Sequence, residues 1–205
     1  PSGSPPSPTP PSLLSLPSLP LLPPSSRACT LPMHPQVNDT VKRAVAAAHS
    51  VDNVALEVNA LKFAQNRSFG DCVLAILPAL LETLGMAELP SKAKRVGAVT
   101  RCLARWGGLL ARFVQSAAEQ DALLTALARH CDADTAARGV FEHITKALYD
   151  SDEDLLGEEA IERWAAAAAD EEEGSLLREL LEQSEAFLTW LREADEDDDD
   201  DDDDE

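Results

Sequence analysis

The chain has 205 residues, 37 of them Asp or Glu against 17 Lys or Arg, for a net charge of −20. This length suits one ordinary domain with tails. So strong a negative charge disfavours nucleic acid as a direct partner and favours a basic protein surface. No uninterrupted apolar run reaches the roughly 20 residues needed to span a bilayer, so no membrane partner is expected.

Residues 1–36 read as a disordered linker. Twelve of the fourteen prolines lie in residues 1–35, among Ser, Thr and Leu. Proline removes a backbone donor and fixes φ, so neither a helix nor a sheet ladder is expected there. The stretch "LLSLPSLPLLPP" resembles a signal-peptide core only superficially, because it has no basic flank and proline interrupts it. The chain does not begin with Met, which suggests a fragment of something longer.

Residues 37–194 read as helix after helix. Proline almost vanishes, and Ala and Leu dominate at helical spacing. The pattern predicts helices near 38–49, 52–66, 70–86, 92–105, 107–115, 117–131, 134–149, 158–169 and 175–193. Ser68, Ser91, Ser116, Asp134 and Ser175 fall where N-caps are wanted. Pro78 should kink or split the third helix. Short connections predict antiparallel neighbours, so the fold class is all-α, an array of helical hairpins or a bundle.

Helix 52–66 carries two apolar stripes, Val54, Val58 and Leu61 on one side and Leu56, Ala60 and Phe63 on roughly the other. Two apolar faces predict an inner helix sandwiched between neighbours. Glu57 lies between them beside Asn53, Ala60 and Ala64, small enough to leave it accessible. Trp106 precedes Gly107-Gly108 and is expected to pack at a helix junction. Trp164 shares a face with Ile161, Ala165 and Ala168 and is expected in the core.

On the last helix Leu177, Leu180, Leu181, Ser184, Phe187, Leu188 and Leu191 form the buried stripe. Trp190 sits roughly 100° from its centre, at the border of core and surface. The acidity is concentrated here: from Asp150 onward 26 acids face 3 bases, a net of −23, which leaves +3 for residues 1–149. Residues 195–205 are all acidic and are expected to form a disordered tail. Cys29, Cys72, Cys102 and Cys131 have no CxxC spacing and read as reduced thiols of an intracellular protein. His130 beside Cys131 is the one hint of a metal ligand pair, too little for a zinc site.

The segment "LYDSDEDLLGEEAIERW", followed by "FLTWL" and the acidic tail, resembles the two aromatic–acidic boxes of the W-two domain, an all-helical, HEAT-like domain of translation initiation proteins. Tyr149, Asp154, Leu155, Leu156, Glu158, Glu159, Ile161 and Trp164 match the first box, with about two extra residues between Tyr149 and Asp154. Phe187, Trp190 and Leu191 match the second. Within the family, "NVALEVNALKFAQNRSF" (53–69) is similar to the early helix of the epsilon subunits of translation initiation factor two B.

The resemblance implies a cytoplasmic exchange domain that removes GDP from translation initiation factor two. It assigns the exchange step to Glu57 and Trp190. It assigns partner binding to Asn59, Tyr149, Asp154, Glu158, Glu159, Trp164, Phe187, Leu191 and Glu193. The implied partners are the GTP-binding gamma subunit of factor two, lysine-rich segments of its beta subunit, and other subunits of the exchange complex. No cofactor is implied.

Exchange needs no covalent chemistry. A carboxylate such as Glu57 can compete for the P-loop lysine or repel the phosphates. No GxSxG, P-loop or HExxH pattern suggests an enzyme. The alternative reading is a non-catalytic acidic adaptor of the same fold, like the tail of initiation factor five. A more distant one is an acidic chaperone for basic proteins.

Overall fold

The structure, a computed structural model, describes residues 35–198, with side chains through Glu193. Residues 1–34 of the linker expected at 1–36, and with them Cys29, lie outside the described residues, as does the end of the acidic tail. Among the described residues every regular element is helical. In chain order they are α1 (Pro35–Ala46), α2 (Val51–Ala64), α3 (Phe69–Glu82), a short 3-10 turn (Met86–Glu88), α4 (Lys92–Ala111), α5 (Ala117–Ala133), α6 (Thr135–Arg138), α7 (Phe141–Tyr149), α8 (Glu158–Ala169), α9 (Leu176–Gln183) and α10 (Glu185–Asp198).

Helix α1 starts at Pro35, inside the stretch expected as linker. Proline suits a first helical position, where its missing donor has no intrahelical partner and its φ is already helical. The expected caps form at four of five sites. Ser68 and Asp71 make a reciprocal capping box over α3, each bond 3.0 Å. Ser91, Asp134 and Ser175 accept from the first turns of α4, α6 and α9. Ser116 takes the cap position of α5, but its hydroxyl donates to Glu119 at 2.5 Å.

Helix α3 runs through Pro78 without splitting. It packs on α1, α4 and α5 at the centre of the domain, burying Cys72, Val73, Ile76, Leu77, Leu80 and Leu81. The stretch Phe69–Glu88 is long and apolar enough by composition to cross a membrane, but half of it is buried in this core. Each fully buried large aliphatic side chain contributes about 1.5–3 kcal/mol.

Three expected boundaries are corrected. Helix α4 continues through Gly107-Gly108 to Ala111, because packing outweighs the weak helix preference of two glycines. The helix expected over 134–149 breaks at Gly139-Val140 into α6 and α7. Arg138 there turns back to bond the carbonyls of Cys131 and Asp132 at the end of α5. The helix expected over 175–193 breaks at Ser184, whose hydroxyl donates to the Leu180 carbonyl at 2.9 Å, a back-bond that bends helices. The backbone of α10 then continues to Asp198, past the boundary expected at Ala194.

The sandwich expected for α2 is also corrected. Its Val54 and Val58 stripe is buried against α1, α3 and α4, but Leu56 is 69% and Phe63 75% exposed. One of its two apolar faces therefore lies open to solvent.

Candidate functional site

Two surfaces carry the residues that the sequence singled out. The first is the outer face of α2. Ser50 caps the helix by accepting from the Asn53 amide, and the burial of Val54 and Val58 fixes its rotation. Leu56, Glu57 and Phe63 consequently point outward, while Asn59 is half-buried. Glu57 accepts from the Arg43 guanidinium of α1 at 3.1 Å, with both side chains exposed. The Lys62 side chain is buried beside this face, its ammonium 4.3 Å from the Phe63 ring centre and 3.9 Å from that of Phe69.

The second surface joins the two aromatic–acidic boxes. Tyr149 ends α7, and its ring meets Phe187 at 6.0 Å and Trp190 edge-on at 6.2 Å. Phe187 stacks on Trp190 at 5.9 Å with a 19° interplanar angle. Phe187 and Leu191 are buried, so they support Trp190 from beneath and offer a partner no surface of their own. Trp190 remains 44% exposed. The buried stripe expected on this helix pair is observed, with Leu177 and Leu181 at its half-buried edge.

After Tyr149 the chain turns around Ser151, whose hydroxyl donates to the Leu148 carbonyl at 2.9 Å and accepts from the Leu155 amide at 3.4 Å. Within this turn Asp154 adopts a left-handed conformation, φ 49°. Leu155 and Leu156 then plug into the core and leave Asp152, Glu153 and Asp154 exposed.

Glu158 and Glu159 open α8, where carboxylates suit the positive end of the helix. Glu158 is half-buried and Glu159 exposed. Asp170, Glu171, Glu172 and Glu173 follow the other end, all exposed, where the helix dipole disfavours them. Arg178 offsets this by donating to the Ala169 carbonyl at 2.6 Å. Glu193 is exposed near the end of the described side chains.

Trp164 is half-buried rather than fully in the core. Its ring packs 5.2 Å from Phe141 and lines a cleft of about 500 Å³ with Leu124, Ala128, Leu176 and Leu177. Trp106, expected at a helix junction, is instead buried within α4.

Three features escaped the sequence reading. The apolar face of α2 that the pattern buries lies open to solvent. The ammonium of Lys146 sits 3.7 Å from the Trp190 ring centre, a contact signalled only by its place one turn before Tyr149 and Asp150. Gly107 and Gly108 form the floor on which the acidic turn lies: a Cβ at either would meet Glu153, at 3.6 and 3.3 Å.

Among the described residues the thiols of Cys72, Cys102 and Cys131 are free and buried. Burial pushes Cys72 and Cys131 up to about 12 and Cys102 to about 11. His130 is buried and pulled below its ordinary value of 6.5 by desolvation, against the opposing fields of Asp134 and Glu82. Among the described residues no three His, Cys, Asp or Glu side chains gather closely enough to hold a metal ion.

Residues 119–201 match the family described as "W2: eIF4-gamma/eIF5/eIF2-epsilon". The chain is 30% identical over 167 residues to "Translation initiation factor eIF2B subunit epsilon" of Dictyostelium discoideum, an overlap covering 80% of this chain and 23% of that one. It is 27% identical over 162 residues to the protein of the same name from Schizosaccharomyces pombe, covering 78% and 22%. The chain therefore spans under a quarter of the length of these relatives. The family match contains both boxes and leaves α2 outside, whereas the similarity to the relatives, over 167 residues, is about twice as long as the family match.

Proposed function

With a W-two domain at residues 119–201 and epsilon subunits as its relatives, we propose that this chain acts in translation initiation by promoting GDP release from initiation factor two. One observation carries this reading. Among the described residues the exposed large hydrophobic side chains are Leu56, Phe63 and Trp190. All three fall on the two surfaces that the boxes and the early helix mark out. Large apolar side chains in solvent are a common mark of a docking face.

The two surfaces divide the work. The acids of Asp152–Asp154, Glu158–Glu159 and Asp170–Glu173 capture a lysine-rich segment of the beta subunit, giving fast and salt-sensitive association. The α2 face meets the GTP-binding gamma subunit, with Leu56 and Phe63 as anchors. Glu57, held by Arg43 on a rigid helix, places a carboxylate where it competes with the phosphates for the P-loop lysine. Trp190 anchors the captured segment beside the boxes. The work is cytoplasmic, with other subunits of the exchange complex as further partners.

The test is release of fluorescent GDP from purified initiation factor two on addition of the chain. Accelerated release supports exchange. Binding without acceleration leaves the adaptor reading, which one observation favours: the family match excludes α2.

A further inference from the structure

Trp190 already holds an ammonium. Lys146 on α7 points across to α10 and places its Nζ 3.7 Å from the Trp190 ring centre and 5.5 Å from that of Phe187. The same Nζ pairs with Asp150 at 3.4 Å, and both side chains remain about half exposed. The aromatic group is rigid, because Phe187 is buried beneath Trp190 and Tyr149 abuts both rings. This arrangement has the parts of a cation site: an electron-rich face, a flanking carboxylate and an opening to solvent. Its occupant is the protein's own lysine.

We propose that the face of Trp190 is a lysine-ammonium site which Lys146 fills from within, and that a lysine of a basic partner segment enters by displacing it. The proposal rests on the capture of a lysine-rich segment proposed above and names the atom group that receives it. Charge complementarity selects the occupant. The chain from Asp150 onward carries a net −23, as 26 acids against 3 bases. Glu193 lies one turn beyond Trp190 on α10.

Displacement is inexpensive, because Lys146 keeps carboxylate partners when it leaves the ring. Asp150 is already paired with it, and Glu142 lies one turn earlier on the same helix. What is exchanged is one ammonium–ring contact for another. Lys146 therefore lowers affinity modestly and rejects segments too short or too weakly charged to compete. Its exposed amine also lets a charge-removing modification, such as acetylation, open the site.

The experiment titrates a fluorescent octalysine peptide into the full chain at fixed low salt, following anisotropy. Lys146→Met keeps the side-chain bulk and removes the competitor, and should tighten binding about two- to fivefold. Lys42→Met is the charge-matched control, since Lys42 lies on α1 and pairs with Glu82. It should produce a smaller gain. Lys146→Arg, which refills the ring with a cation, should bind no more tightly than wild type. In a Trp190→Leu background the advantage of Lys146→Met over Lys42→Met should vanish.

Equal gains for Lys146→Met and Lys42→Met would overturn the proposal, as would an advantage that survives loss of Trp190. Failure of the wild type to bind octalysine at all would remove the capture reading itself, and this proposal with it.

Discussion

Tyr149 meets Trp190, 41 positions later, edge-on at 6.2 Å, which welds the end of α7 to α10 and makes one surface of the two boxes. The burial of Phe187 and the half-exposure of Trp190 give these two residues of the second box different sensitivities to mutation. Phe187→Ala should cost about 3–5 kcal/mol by urea denaturation, as truncation of a buried aromatic does. Trp190→Ala, at a half-exposed ring, should cost about 1 kcal/mol. It should nevertheless weaken binding of a lysine-rich peptide, whereas a merely structural tryptophan would lose stability and binding together.

The open face of α2 yields the opposite pattern. Leu56→Ser and Phe63→Ser remove side chains that are already in water, so each should change stability by no more than about 0.5 kcal/mol. If the face docks a GTPase, each should lower exchange about tenfold, the loss of a single buried anchor. Chevron-free equilibrium unfolding and GDP-release rates, measured on the same preparations, check the two halves of this expectation.

Most of the helices were legible in the sequence because caps and apolar spacing are local signals. Ser68, Ser91, Asp134 and Ser175 made their caps, and Leu180, Ser184, Phe187, Leu188 and Leu191 form the buried stripe of the last pair. The errors arose where tertiary packing decided. Gly107-Gly108 reads as a break, but the acidic turn packs on those glycines within an unbroken helix. The apolar pattern of Leu56 and Phe63 gave no hint of whether protein or solvent covers them. Ser184 was recognised as buried, but its bond to Leu180, which ends α9, depends on a hydroxyl orientation that spacing does not reveal.

Gly107 and Gly108 make a sharper test of this packing. A Cβ at Gly107 would sit 3.6 Å from the Glu153 side chain, an ordinary contact. At Gly108 it would come within 3.3 Å of a Glu153 carboxylate oxygen that can swing away. Gly107→Ala and Gly108→Ala should therefore each raise stability by about 0.5–1 kcal/mol through helix propensity. Gly108→Leu should instead lift the acidic turn and reduce peptide capture. Thermal unfolding and peptide titration read out both effects.

His130 sets part of the acid sensitivity. Burial lowers its proton affinity below the ordinary 6.5, so the unfolded chain takes up the proton first. The stability it allows above about pH 6.5 is lost as pH falls through the depressed folded value. His130→Gln cannot titrate. The stability difference between wild type and variant should therefore shift against the wild type between pH 7.5 and 5.5, measured as urea midpoints at both pH values. No change in that difference would show that His130 titrates normally in the fold.

The central claim is that Glu57 on α2 acts on nucleotide release rather than on folding or capture. Among the described residues its hydrogen-bond partner is the exposed Arg43, so Glu57→Ala should alter stability by no more than about 1 kcal/mol. The most direct measurement is the rate of fluorescent GDP release from purified initiation factor two, with saturating wild-type chain or Glu57→Ala. The account predicts that the wild type accelerates release and that the variant binds equally well without doing so. Equal acceleration by both proteins would contradict it.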